Sequence, residues 1–390
     1  MKKALIIATT GGFINQFEER NARMLQQLGY KVSYAANYTY NTYGVTEVPS
    51  EIDGIRVHQI PVTREPWHVV NNVRAISWLR KYIREEGIDL VLCNNPMGGA
   101  AGRLAGGFFK KGERPYILYT AHGFHFYEGA PRKNWMLFYS AERMLARLTD
   151  HLLTINSEDY EAAKRMPLRG MGMVDIVPGV GLDMERFRPR PELRSEVRAE
   201  LGVPEDAFHI VSASELATNK KLDLVMRAIG SIERDDVYLT ICGEGDEHQA
   251  LQELIRDMRL EGRVKLLGYR YDMERVLQSA DCFAAVSLRE GMGMAALEAL
   301  ACGVPLIASD NRGTREYARD GYNSIVCTAN SETSIRSALL RLLRDPQLLQ
   351  SLAENARFTA EPFRIEKADA QMQRILVYAD ELIRERKFDE

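Results

Sequence analysis

DCFAAVSLREGMGMAALEALACGVPLIAS, residues 281–309, reads as a strand, a glycine turn, a helix and a second strand in immediate succession. Cys282 to Val286 is an apolar run of strand character. Gly291 to Gly293 is a turn with little bulk, and Met294 to Ala301 is dense in helix formers that stop at Gly303 and Pro305. Such a turn leaves the N–H groups of Gly291, Met292, Gly293 and Met294 at the mouth of the helix. There the helix dipole adds partial positive charge, so an anion can sit without a metal. Glu290 stands at the lip of the turn and Glu298 on the helix behind it. A carboxylate beside an anion site is a poor phosphate ligand but a good acceptor for hydroxyls, because each oxygen takes hydrogen bonds from a diol. Phosphate plus sugar is the ligand implied. The plainer alternative makes Glu290 a strand end and Glu298 a solvated helix residue.

At 390 residues the chain is too long for one ordinary core, and two domains of about 150–200 residues are expected. A composition of 45% hydrophobic and 27% charged residues is that of a soluble globular protein, and a net charge of −3 argues against a general nucleic-acid binder. No apolar run approaches the roughly 18 residues of a membrane span. The opening MKKALIIATTGG reads as a first strand rather than a signal peptide, and a cytoplasmic location is expected. Cys93, Cys242, Cys282, Cys302 and Cys327 show no metal or redox spacing and are expected to be buried free thiols.

Upstream, strands at Ala4–Ala8, Lys31–Ala36, Ile55–Ile60, Leu90–Cys93 and Tyr116–Thr120 alternate with helices from about Phe17, Val70 and Gly99. This alternation predicts a doubly wound parallel sheet, with ligands beyond the carboxyl ends of its strands. Gly11, Gly12, residues 95–98 and His122 fall at such ends. An imidazole there can exchange hydrogen bonds with a sugar hydroxyl, although a structural histidine is the usual alternative. Arg103 to Arg147 is basic and encloses the aromatic run Trp135 to Tyr139. A helix with Trp135 and Phe138 on one face, bordered by Arg132, Lys133 and Arg143, suits either an anionic membrane surface or the domain core. After Phe187 a charged, proline-bearing stretch opens a second sheet, with strands expected at His209–Ser214, Tyr238–Cys242, Val264–Leu267, Cys282–Val286, Leu306–Ala308 and Ile325–Cys327. Glu215 and Lys220 lie in the loop after its first strand, Gly243 after the second, and Tyr269 and Arg270 after the third. An ammonium at Lys220 would offset charge on a diphosphate, although a solvated surface charge is the usual reading of an isolated loop lysine.

REGMGMAALEALACGVPLIASDNRGTRE, residues 289–316, resembles nearly position by position the Glu-x7-Glu signature of family 4 retaining glycosyltransferases. YTAHGFHFYEGAP (119–131), TDHLLTINSEDYEAA (149–163) and VPGVGLDMERF (177–187) are similar to segments of polysaccharide-building members. The resemblance implies an α/β GT-B fold: two facing doubly wound Rossmann-like domains and a C-terminal crossover helix. Residues 1–187 with 365–390 would form the acceptor domain and residues 188–364 the nucleotide-sugar domain. It further implies that Glu290 holds sugar hydroxyls, Glu298 the nucleotide ribose and Lys220 the diphosphate. His122 would touch the transferred sugar, and the base would sit at Tyr269 and Arg270. The backbones of Gly11, Gly12, Gly243 and the Gly291–Met294 turn would line the donor. No cofactor or metal is implied. The donor would be a UDP-sugar and the acceptor a polyprenyl-diphosphate-linked glycan of bacterial exopolysaccharide or capsule, met at the inner membrane leaflet. Glu215 departs from the Arg of many members, but polysaccharide-building members often read Glu-Leu in that loop, which makes the change a subgroup trait rather than a dead site; Lys221 or Arg270 could compensate for the missing cation. A UDP-sugar epimerase of GT-B architecture and a catalytically silent nucleotide-sugar binder are the competing readings.

Overall fold

The structure, a computed structural model, describes residues 1–40 and 47–385. They group into two compact units, Met1–Val180 with the segment from Glu366, and Gly181–Ile365. Arg386 and the residues after it, part of the expected crossover segment, lie outside the described residues.

Unit 1 carries an eight-stranded sheet: β1 (Lys2–Thr10), β2 (Tyr30–Asn37), β3 (Glu51–Ile52), β4 (Ile55–Gln59), β5 (Leu90–Asn94), β6 (Tyr116–Ala121), β7 (His151–Thr154) and β8 (Met173–Ile176). The order is β3-β4-β2-β1-β5-β6-β7-β8, parallel throughout except for β3 with β4. Leu5, Ile6 and Ile7 of central β1 are fully buried. They form a continuous apolar run rather than an alternating one because helices cover both faces of a parallel sheet. Those helices are α1 (Glu19–Gln27), α2 (Val69–Glu86), α3 (Pro96–Gly106), α4 (Arg132–Asn134), α5 (Ser140–Ala146) and α6 (Ser157–Ala163). The helix expected from Phe17 starts earlier, in a widened π-helical turn, Ile14–Glu18, where the Glu19 N–H reaches Ile14 O. β3, β7 and β8 were not foreseen. Runs of two to four residues carry too little periodicity to stand out from loops.

Unit 2 carries an all-parallel six-stranded sheet: β9 (Phe208–Ala213), β10 (Val237–Cys242), β11 (Val264–Leu266), β12 (Cys282–Ala285), β13 (Leu306–Ser309) and β14 (Ser324–Cys327). Around it run α7 (Arg194–Leu201), α8 (Leu222–Gly230), α9 (His248–Asp257), α10 (Met273–Val276), α11 (Met294–Ala301), α12 (Glu332–Arg344) and α13 (Pro346–Ala360). Ile210, Met226, Ile229, Leu239, Ile241 and Leu339 are core residues of this unit. The strand order β11-β10-β9-β12-β13-β14 reverses direction between β9 and β12. At such a switch point the loops leaving the two strands part and leave a crevice.

The final helix, α14 (Ile365–Glu385), joins unit 1 from Glu366 on. There Tyr30 Oη donates to Asp380 Oδ1 at 2.7 Å, Lys2 pairs with the same carboxylate, and Arg20 pairs with Asp369 at 3.3 Å. The first boundary falls at Val180, ahead of the Phe187 expected from composition. Leu182 N–H bonds Phe363 O at 2.8 Å, and Arg357 donates to Met184 O and Phe187 O at 3.0 Å each, so this segment belongs to unit 2. All five cysteines are free and buried, as expected, and burial pushes the Cys93 thiol up to about 12.

Candidate active site

The crevice of unit 2 brings together two residues that are seventy positions apart in sequence. The loop after β9 ends in the short turn Thr218–Lys220, and the loop after β12 runs through Ser287 to Gly293. Leu288 N–H bonds Asn219 O at 2.7 Å and clasps the two loops. Lys220 Nζ then lies 2.5 Å from Glu290 Oε1, both side chains about one-fifth exposed. Screening by water is reduced at this depth, so an anion arriving at Lys220 competes with Glu290. The Glu290 backbone is held as well: Arg312 Nε donates to its carbonyl at 3.2 Å. Gly313 packs so closely that a Cβ there would stand 2.8 Å from Glu290 Cβ.

Helix α11 begins at Met294, as read from sequence. Its N-cap, Gly293, has φ +83° and packs over Tyr317 Oη, which a Cβ would meet at 2.7 Å. Both the left-handed backbone and the close approach demand glycine. Glu298, on α11, is pushed up to about 7 by burial; Arg186 opposes this and Glu274 adds to it. Burial raises the Tyr269 phenol, and Tyr271 and Glu298 are near enough to add to the rise. Arg186 itself bridges Glu274 and Tyr271 O at 2.8 and 2.6 Å. Glu298, Tyr269 and Arg186 therefore form one polar patch that can receive a ribose and a base.

Two of the expected donor-side residues have partners of their own, and a third lines a separate groove. Gly243 does not offer its N–H to a ligand, because it donates to Gly268 O at 2.7 Å in a zipper between neighbouring loops. The Arg270 guanidinium is held by Asp272 at 2.7 and 2.8 Å and by Glu200 at 3.2 Å, so a diphosphate would have to draw it from two carboxylates. Lys221 lines a groove with Asp223 and Glu247 that excludes Lys220 and Glu290. Glu215 is exposed on its loop. The sequence reading missed the roles of Arg312 and Gly313. Their stretch entered only as the end of the 289–316 motif, and nothing local signals that residues 311–313 pack beneath Glu290.

In unit 1, His122 follows β6 directly, as read from sequence. Phe13 meets its ring edge-on at 5.1 Å between centroids, and Phe17 lies at 6.2 Å. Its Nε2 is 3.0 Å from Asn94 Oδ1, at the end of neighbouring β5. Burial pushes the imidazole down to about 4, although its rim remains partly open. The ring is thus neutral near pH 7. If Asn94 Oδ1 accepts from Nε2–H, Nδ1 keeps a lone pair able to accept from a hydroxyl. Gly11 departs from expectation: its N–H donates to Asn37 O at 2.9 Å and it packs under the Tyr38 ring, so it has no N–H to offer a diphosphate. Gly12 is buried beside it.

The basic, aromatic segment forms continuous helical structure through α4, a π-helical turn at Trp135–Tyr139 and α5. Its outer face is Met136, Leu137 and Met144, each more than 60% exposed, with Trp135 at the edge. Arg132, Lys133 and Arg143 are exposed around them. Phe138, expected on that face, turns inward against His125 at 5.0 Å and the core. Among the described residues no helix is long and apolar enough to cross a membrane.

This geometry can be set beside known proteins. The model described as Glycosyl transferase 4-like domain matches residues 14–173, and that described as Glycosyl transferases group 1 matches residues 194–359. EpsD of Bacillus subtilis (strain 168), assigned as a glycosyltransferase, is 34% identical over 93% of this chain and 93% of its own. The UDP-Gal:alpha-D-GlcNAc-diphosphoundecaprenol alpha-1,3-galactosyltransferase of Escherichia coli is 27% identical over 78% of this chain and 79% of its own. The crystal structure of Anabaena Alr3699/HepE in complex with UDP-glucose shares the fold, with a TM-score of 0.76 at 19% identity over 97% of this chain and all of that one. The chain belongs to the group 1, family 4 retaining glycosyltransferases and has their GT-B fold, two parallel Rossmann-like sheets completed by a C-terminal helix.

Proposed function

We propose that this enzyme transfers a sugar from a UDP-sugar to a polyprenyl-diphosphate-linked glycan in the assembly of a bacterial exopolysaccharide or capsule, without a metal ion. The observation that carries this reading is the Lys220–Glu290 pair at the switch point of unit 2, with Glu298 on the helix behind it. The diphosphate of the donor draws Lys220 away from Glu290, and sugar hydroxyls then take the ammonium's place on the carboxylate. As the bond from the anomeric carbon to the diphosphate oxygen breaks, its electron pair stays on the diphosphate. Lys220 and the helix dipole of α11 stabilise that charge. Glu298 accepts from the ribose hydroxyls, and Tyr269 lies at the base. His122, neutral, accepts from a hydroxyl of the transferred sugar through Nδ1. The acceptor hydroxyl forms the new glycosidic bond on the anomeric carbon as its proton passes to the departing diphosphate oxygen. Two relatives support the choice of substrates: one is named for UDP-Gal and a diphosphoundecaprenol-linked sugar, and a structural neighbour binds UDP-glucose.

The exposed face of Trp135, Met136, Leu137 and Met144, with Arg132, Lys133 and Arg143 at its border, suits peripheral binding to the inner leaflet of the cell membrane, where a lipid-linked acceptor lies. The test is a panel of UDP-sugars screened by thermal shift, followed by transfer to a synthetic polyprenyl-diphosphate sugar. Formation of a new glycosidic bond supports the reading. Conversion of the UDP-sugar alone, followed by NMR, would make the protein an epimerase. Binding without turnover on any acceptor would make it a silent binder, a reading that Glu215 in place of the frequent Arg keeps open.

A further inference from the structure

Behind His122 the interior of unit 1 holds a carboxyl group with no part in the reaction proposed above. Glu18 ends the π-helical turn Ile14–Glu18, whose wide ring carries Ile14 and Glu18 inward together. It is 2% exposed, and Asn21 Nδ2 donates to its Oε2 at 3.1 Å. Asn94, fully buried, lies between Glu18 and His122. Its Oδ1 is 3.0 Å from His122 Nε2. Its amide nitrogen is buried without a hydrogen-bond partner, and Asn94 is near enough to Glu18 to lower the carboxyl against the burial that raises it. Glu18 and His122 line one water-sized cavity of about 30 Å³, together with Arg20, Asn21 and Asp369.

We propose that Glu18 is a positioning residue for His122: by accepting from the Asn94 amide it turns Asn94 Oδ1 toward the imidazole, which fixes the proton on Nε2 and leaves Nδ1 open to a sugar hydroxyl. An asparagine side chain presents an acceptor at one end and donors at the other, so the partner at one end decides what the other end shows. With Glu18 as acceptor, the relay reads Glu18, Asn94 N–H, Asn94 Oδ1, His122 N–H. The opposite order, with a Glu18 hydroxyl donating to Asn94 Oδ1 and the Asn94 amide donating to Nε2, would put the proton on Nδ1 and close the ring to a hydroxyl donor. Burial holds Glu18 up to about 8, so at neutral pH the group is largely uncharged and a glutamine is its close mimic.

The inference rests on the reading of His122 as a sugar contact, and the experiment separates the two. Nitrogen-15 NMR of the full-length, ligand-free protein, labelled at histidine, reads the His122 tautomer directly, and steady-state kinetics are run beside it. The expected result is a protonated Nε2 in the native protein and in Glu18→Gln, with the Nδ1–H form becoming populated in Glu18→Leu. Glu18→Leu should also lose roughly tenfold or more in kcat at unchanged donor KM, and Glu18→Gln should restore it. A native protein protonated on Nδ1 overturns the proposal whether or not the variants fold. An unaltered tautomer in folded Glu18→Leu overturns it as well. If the tautomer follows Glu18 while kcat does not, the positioning role stands and the assignment of His122 to the sugar falls.

Discussion

Glu290 and Lys220 neutralise one another across 2.5 Å, so removing either changes what the other does. In Glu290→Ala the ammonium loses its internal competitor. UDP affinity, measured calorimetrically, should hold or rise, while kcat falls about a hundredfold through loss of roughly 3 kcal/mol of transition-state stabilisation. A parallel loss of affinity and turnover would contradict the assignment of Glu290 to the sugar. Glu298 supplies a pH dependence. Its carboxyl titrates near 7 because it is buried, so the acceptor form for the ribose hydroxyls grows as pH rises through that value. A UDP-sugar, whose diphosphate loses no proton in this range, should bind more tightly at about pH 8 than at about pH 6, and Glu298→Gln should abolish the difference. The linkage to stability has the opposite sign. A carboxyl raised in the folded state binds protons that the unfolded chain has already released, so this group's contribution declines between its ordinary value of 4.5 and about 7.

At the scale of elements, the loops after β9 and β12 make the crevice, and their packing sets its geometry. Gly313→Ala has no left-handed backbone to lose, since its φ is −74°, yet its Cβ would press on Glu290. The expected outcome is a fall in kcat of roughly tenfold or more together with a lower melting temperature, because the new Cβ meets the root of the Glu290 side chain and its backbone rather than a flexible tip, and a small displacement of a positioned group is costly to the reaction. The helical segment from Arg132 to Ala146 carries a second test. Met136→Ser with Leu137→Ser should weaken co-sedimentation with anionic vesicles. Replacing Arg132, Lys133 or Arg143 should each cost about 1 kcal/mol, roughly fivefold in partitioning, at low salt. Phe138→Ala should lower the melting temperature instead, since that ring packs inward. Helix α11 was legible residue by residue from its glycine turn and its run of helix formers. The inward turn of Phe138 was not, because a row of five large apolar residues has no polar neighbour to show which side faces the core.

At the scale of the whole molecule, two units with separate cores need not respond alike to one ligand. Donor binding is assigned to unit 2, so a UDP-sugar at about a hundred times its Kd should add about 2.7 kcal/mol to that unit. A domain of this size should then melt roughly 5–10 °C higher. Differential scanning calorimetry of the full chain checks this: the shift should appear in the transition of residues 181–365, and Lys220→Ala should remove most of it.

The linear order of residues was enough for the alternation of strand and helix, the two parallel sheets and the start of α11, while Glu290, Glu298, Lys220 and His122 were named as candidates with the help of the resemblance. Each of these rests on periodicity, on turn chemistry, or on a motif contained in one stretch. Folding alone revealed that Gly11 and Gly243 spend their N–H groups on Asn37 and Gly268, that Arg270 is held by Asp272, and that Glu18 and Asn94 stand behind His122. Those facts depend on partners brought together by strand order and packing. A hydrogen bond or a buried charge between residues distant in the chain leaves no trace in the local pattern of either one.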